Sequence, residues 1–97
     1  MGERAHVNVQ DNTERHRFEA VDESGAVAGF VNYRRHDDRI ELVHTEVDPD
    51  FEGRGVGSAL ARSSLDAIRS AGMPAQLTCS FIAGYVDKHP EYADLTT

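Results

Sequence analysis

The sequence predicts an α+β domain built on a mostly antiparallel sheet, in the order ββββαβα. Three observations predict it. Up to Val47 the chain falls into short runs of alternating apolar and polar residues, cut by turn clusters. From Gly55 the apolar spacing becomes that of a helix. Beyond Pro74 come one more apolar run and one more short helical stretch. The strand–helix–strand unit over 40–80 is then a right-handed crossover that sets its two strands parallel.

The elements follow in order. The first five residues are polar and expected to fray. Val7-Asn8-Val9 alternates, and Asp11-Asn12-Thr13 is a turn cluster. His16 to Val21 sets Phe18 and Ala20 on one face, Arg17 and Glu19 on the other. Glu23-Ser24-Gly25 turns the chain into a long strand, Ala26 to Arg34, with Val27, Val31 and Tyr33 opposite Ala28 and Phe30. His36-Asp37-Asp38-Arg39 is the next turn, and Ile40 to Val47 the fourth strand. Sequential strands joined by short turns make an antiparallel meander.

Asp48-Pro49-Asp50 ends the fourth strand, because proline cannot donate to a ladder. Small and apolar residues then recur at 57, 60, 61, 64, 65, 68 and 71, so Leu60, Leu65 and Ile68 share one helical face. Arg62, Asp66, Arg69 and Ser70 take the other. Gly72 stops this helix and Pro74 forbids its continuation. Gln76 to Phe81 reads as a fifth strand, and Ala83 to His89 as a short helix ending before Pro90. Tyr92 and Leu95 are placed to pack back on the sheet.

A chain of 97 residues suits one domain, 1–97, burying about 60–65% of what the unfolded chain exposes. A net charge of −7 argues against binding nucleic acid and favours a cationic partner such as an amine. Cys79 is the sole cysteine, so no intrachain disulfide forms and a reducing compartment is expected. No signal-peptide pattern opens the chain and no apolar run approaches ~18 residues, which together predict a cytoplasmic protein without a membrane span. The five histidines lack zinc-ligand spacing, so no metal is expected. A small open sheet has edges that invite pairing, so the expected state is a monomer or a weak homodimer.

The informative segment is Phe51-Glu52-Gly53-Arg54-Gly55-Val56-Gly57, between strand and helix. Glycines let the backbone turn and let a ligand come close. The first amides of a helix have no internal partner and, with the dipole, favour an anion. Arg54 adds a positive charge. This suits a diphosphate. No Gly-Lys-Ser/Thr follows, so it is not a Walker loop, and the preceding meander argues against a dinucleotide fingerprint. Read alone, the turn also fits a plain strand-to-helix connection.

Taken with its surroundings, the turn resembles that of the GCN5-related N-acetyltransferase superfamily, whose Gln/Arg-x-x-Gly-x-Gly/Ala motif falls here on Glu52, Gly55 and Gly57. Glu52 departs from the pattern, a carboxylate standing where the motif has Gln or Arg. A closer similarity is to the short YjdJ-type subgroup, carried by His44-Thr45-Glu46-Val47, the glycine turn, Cys79-Ser80-Phe81, Tyr85 and His89-Pro90-Glu91-Tyr92, over about Val7 to Leu95. The resemblance implies acetyl-CoA as co-substrate. It would be held by the turn residues Gly53, Arg54, Gly55, Val56, Gly57 and Ser58, with its arm paired to the backbone of Glu46 and Val47 between splayed fourth and fifth strands. It also implies transfer to a primary amine on a small molecule or a protein lysine. Superfamily members carry two helices between their first strands; this chain has short turns there, so the acceptor side is expected to be open.

The chemistry needs a proton acceptor for the amine and a proton for the leaving thiolate, or an intermediate acyl carrier. Cys79 is a candidate acyl acceptor or a buried packing residue. His44 is a candidate base or a hydrogen-bonded strand residue. Glu46 is a water-mediated base or a solvated side chain. Tyr85 corresponds to the tyrosine that protonates the thiolate in the wider superfamily, or packs its ring. Lys88 and His89 are within reach of CoA phosphates. The competing reading is a non-catalytic module that binds acetyl-CoA, CoA or another protein.

Overall fold

A computed structural model describes residues 5–96. Its strands are β1 (Val7–Asn12), β2 (Arg17–Asp22), β3 (Val27–Arg35), β4 (Ile40–Val47) and β5 (Ala75–Leu77). Helix α1 spans Val56–Ser70 and α2 spans Ser80–Lys88, with short 3-10 turns at Pro49–Phe51 and Pro90–Leu95. The five strands lie in sequence order, antiparallel from β1 to β4 and parallel between β4 and β5. The predicted α+β meander and crossover are therefore the observed fold. Of the start expected to fray, 1–5, all but Ala5 lies outside the described residues. Ala5 itself is held, its N–H donating to the Arg54 carbonyl at 2.9 Å.

Three boundaries differ from the sequence reading by more than one residue: the ends of β1 and β5 and the start of α2. β1 runs on through Asp11 and Asn12, which pair with Phe18 and Arg17, and the Asp11 carboxylate accepts from the Tyr33 hydroxyl at 2.6 Å. These polar residues make ladder contacts, so the turn starts at Thr13. β5 is shorter than Gln76 to Phe81, because the N–H groups of Thr78 and Cys79 both donate to the Leu42 carbonyl and close the ladder. Ser80 and Phe81 are the first residues of α2. A short apolar run carries no period that separates strand from helix, so the sequence alone does not fix this boundary.

Two irregularities of register decide which side chains face which way. One lies at Ala20/Val21 between β2 and β3, the other at Asn32/Tyr33 between β3 and β4. At the second, Tyr33 pairs with Leu42 and Asn32 with His44, so Val43 is an extra residue in β4. Parity therefore flips along β4. Ile40, Leu42, Thr45 and Val47 point to one face, with Phe18, Ala20, Val31 and Tyr33 of the neighbouring strands. His44 and Glu46 point to the other, with Arg17, Glu19, Phe30 and Asn32.

Both helices cover the first face. Leu60, Ala61, Leu65 and Ile68 of α1 and Ile82 of α2 are fully buried with Val31 and Leu42 of the sheet. Each large side chain so buried contributes roughly 1.5–3 kcal/mol. Among the described residues no helix covers the second face. There Arg17 pairs with Glu19 at 2.7 Å and lies 4.3 Å over the Phe30 ring.

The tail packs back as the sequence predicts: Tyr92 and Leu95 are buried, the Tyr92 hydroxyl donates to Asp66 at 2.7 Å, and Arg69 grips both Asp94 carboxylate oxygens. Burial, and then the Asp66 carboxylate, push the Tyr92 phenol up to about 12. A phenol held neutral in the fold contributes stability below its unfolded value of about 10, lost as pH rises through about 12. Tyr33, raised by burial and by Asp11, acts with the same sign. Circular dichroism against rising pH should show unfolding between about pH 10 and 12. Tyr92→Phe should flatten that limb while costing about 1 kcal/mol at neutral pH. An unchanged alkaline limb in the variant would place the transition elsewhere.

Candidate active site

The glycine turn has three glycines that are glycine for two different reasons. Gly53 and Gly55 have φ of 75° and 81°, the left-handed region that costs a side-chain-bearing residue roughly 1–2 kcal/mol. Gly57 is already in α1, and an added Cβ there would sit 2.8 Å from Cζ of Phe81. It is a packing glycine.

Gly55 is the N-cap of α1 and offers no side chain to the helix end. The first helical bond runs from the Ala59 N–H to the Gly55 carbonyl. The N–H groups of Val56, Gly57 and Ser58 therefore point out of the helix end, with no acidic residue in that first turn. A groove at this end is lined by Val47, Phe51, Glu52, Gly53, Gly55 to Ser58 and Phe81. These donors fit a diphosphate. The Arg54 guanidinium is 5.2 Å over the ring of Phe51, which lines this groove, and Arg54 lines a second groove with His6, Asp22 and Glu23. Glu52 is the charged side chain lining the cradle, so the attraction there comes from the backbone.

The cradle opens onto the gap between β4 and β5. Only Ile40 to Leu42 pair with Ala75 to Leu77, and with Thr78 and Cys79 both bonded to the Leu42 carbonyl the strands part. From Val43 to Val47 β4 has no β5 neighbour. An extended chain fits along that edge as an added strand does.

Cys79 sits where the gap begins. It is buried, 7% exposed, and its Sγ is 3.2 Å from the Thr45 hydroxyl, a contact across the gap. The sequence reading of 76–81 as strand puts Cys79 in the fifth strand; it is instead the N-cap residue of α2. Thr45 was not singled out by the sequence, although it shares the core-facing parity of Val47. His44 and Glu46 lie together, Nε2 to Oε1 at 4.0 Å, both exposed on the uncovered face. Tyr85 is stacked on His89, ring centroids 3.9 Å apart, and lines a groove with Ser58, Phe81 and Lys88 beside the cradle. The structure thus joins Cys79 to Thr45, His44 to Glu46, and Tyr85 to the cradle margin. It leaves His44 and Cys79 on opposite faces of β4. Among the described residues no group of three His, Cys, Asp or Glu side chains is placed to hold a metal. Nor is any helix there long and apolar enough to cross a membrane.

The family described as GCN5-related N-acetyl-transferase matches this chain over residues 17–95. Similar relatives are each called Protein NATD1. The Xenopus tropicalis and Homo sapiens proteins are 39% identical over 51 residues, 53% of this chain and 47% and 45% of theirs. The Danio rerio protein is 33% identical over 57 residues, 57% of this chain and 52% of its own. The chain spans about half the length of the curated relatives it matches. A solution structure of a GCN5-like protein from Staphylococcus aureus superposes with a TM-score of 0.70 at 23% identity, over 93% of this chain and 87% of that one. That likeness is one of fold.

Proposed function

Because the chain belongs to the GCN5-related N-acetyltransferase family, we propose that it moves an acetyl group from acetyl-CoA to a cationic primary amine, with Cys79 at the reacting thioester. One observation carries the reading: two left-handed glycines turn the uncapped amides of α1 into a groove that meets β4 where β5 has left it. The amides of 56–58 hold the diphosphate, and the edge of β4 at Glu46 and Val47 holds the arm.

In the relayed route the Cys79 sulfur bonds the acetyl carbon as the CoA sulfur departs and takes up the thiol proton. Thr45, bonded to that sulfur, orients it. The amine then attacks the acetyl carbon, Cys79 leaves and regains a proton, and the amine loses one. The balance is one thioester and one amine in, one amide and one CoA thiol out. His44 and Glu46 take the amine proton through water on the uncovered face, and Tyr85 is the donor to the departing thiolate. The acceptor is a small-molecule amine or a protein lysine. Its ammonium is drawn by Glu46 and Asp48, which line a groove with Phe30 and with Arg17, whose own charge is paired to Glu19, and by the net charge of −7. The same uncovered face is the observation that favours a second reading, a module that binds acetyl-CoA without turnover.

The test follows CoA thiol release from acetyl-CoA with spermidine or a lysine peptide as acceptor. Turnover by the wild type is expected, with acetyl accumulating on Cys79 when the amine is omitted. Cys79→Ala should slow transfer about a hundredfold. Full activity in that variant would establish direct attack by the amine. Binding of acetyl-CoA without turnover across the amines would favour the non-catalytic module.

A further inference from the structure

The exposed ring of Phe81 has no structural reason to lie where it does. It is 46% exposed, the most exposed large hydrophobic side chain among the described residues. The core side of α2 is made by Ile82 and Val86, one turn apart and both buried. Phe81 lies off that side. Its ring tip rests on Gly57, where an added Cβ would meet Cζ at 2.8 Å and Cε2 at 3.3 Å. The ring therefore stands over the first turn of α1, beside the outward amides. With Ser58 it lines both the cradle groove and the Tyr85 groove. Val47 lines the same cradle groove.

A bare diphosphate needs only the amides. A ligand whose diphosphate continues into an arm of methyl groups and amides lays that arm between Val47 and the ring, and buries what water now touches. From this geometry we propose that Phe81 is a specificity-determining residue: it selects ligands that carry such an arm over ligands that end at the diphosphate, and residue 57 is glycine so that the ring can seat. The inference rests on the reading that the cradle takes acetyl-CoA.

Titration calorimetry with acetyl-CoA, and with ADP as the armless diphosphate measured by competition, tests it on the intact chain. Phe81→Ala should weaken acetyl-CoA about tenfold and leave ADP within about twofold. Phe81→Leu should keep part of the affinity. Gly57→Ala displaces the ring and should weaken acetyl-CoA to a similar degree. The double variant should lose no more than either single change, because both remove one contact. Since Phe81 is exposed, the thermal midpoint of Phe81→Ala should stay near wild type. Unchanged acetyl-CoA affinity in Phe81→Ala, an equal loss for both ligands, or fully additive losses with Gly57→Ala would each overturn this inference alone. Wild-type protein that takes up no acetyl-CoA would overturn it together with the reading on which it rests.

Discussion

Gly55→Val is expected to weaken acetyl-CoA binding by about a hundredfold or more, while costing the fold only about 1–2 kcal/mol. Gly55 holds φ at 81° and is the last residue before α1. Valine is strained there, and it puts a branched side chain at the helix end where glycine leaves the amides of Val56, Gly57 and Ser58 bare. A hydrogen bond from an amide to a charged phosphate is worth about 1.5–3 kcal/mol. Losing one or two accounts for about a hundredfold, at about 1.4 kcal/mol per factor of ten. Gly53→Ala separates strain from obstruction. Gly53 also has a left-handed φ, of 75°, yet an added Cβ there meets nothing within 4 Å. It should lower the thermal midpoint by a similar small amount and leave most of the binding. Calorimetry and thermal unfolding on the two variants read the difference. Tight binding by Gly55→Val would show that the ligand does not touch this turn.

Local chemistry explains why so much of the fold was legible. The meander is written in turn clusters such as Glu23-Ser24-Gly25 and in short alternating runs, and each turn needs only its own few residues. The face of α1 is written at Leu60, Leu65 and Ile68, all fully buried. The glycine turn was legible for the same reason, since backbone φ is a property of one residue. What was not legible is long-range. Nothing local announces that Val43 is an extra residue in β4, yet that residue puts His44 and Glu46 on the face away from Thr45. The Thr45–Cys79 contact joins residues 34 apart, and requires the strands to part at Leu42.

The side chains around the turn were less legible than its backbone. Arg54 follows a glycine in an anion motif, and its charge was assigned to the diphosphate. Its guanidinium lies over Phe51, a residue that lines the cradle, and Arg54 shares a second groove with Asp22 and Glu23. Gly57 looked like a third conformational glycine and is one only in name; its helical backbone would accept any residue, and the Phe81 ring is what excludes a side chain. Such a reason depends on a partner 24 positions away, and no motif contains it. The catalytic candidates share this limit. Chemical type and the family resemblance point to Cys79, His44 and Tyr85, and the fold decides which of them meet.

A large loss of stability is expected from Gly29→Ala, a change of one methyl group. Gly29 lies on the covered face of β3, paired with Ala20 on one side and Val47 on the other. An added Cβ would stand 2.7 Å from the carbonyl oxygen of Glu46 and 3.2 Å from both the Cα of Val47 and Cδ1 of Leu60. The leucine can rotate away, but the carbonyl belongs to the β3–β4 ladder and moves only with the strand. Overpacking of this kind costs about 2–3 kcal/mol, a large share of the roughly 5–15 kcal/mol that holds a domain together. At about 4–8 °C per kcal/mol the melting temperature should fall by roughly 10–20 °C. Leu60→Ala added to the variant should not restore it, because the backbone contact remains. Strand β4 is displaced at Glu46 and Val47, where the gap to β5 lies open, so acetyl-CoA affinity should fall even well below the melting point. Leu65→Ala is the control: it costs about 2–5 kcal/mol from the buried face of α1, a position that does not line the cradle, and should leave binding unchanged at low temperature. If Gly29→Ala melts with the wild type, β3 and β4 do not approach as closely as the ladder requires. If it melts early yet binds acetyl-CoA normally, the backbone of Glu46 and Val47 does not hold the ligand.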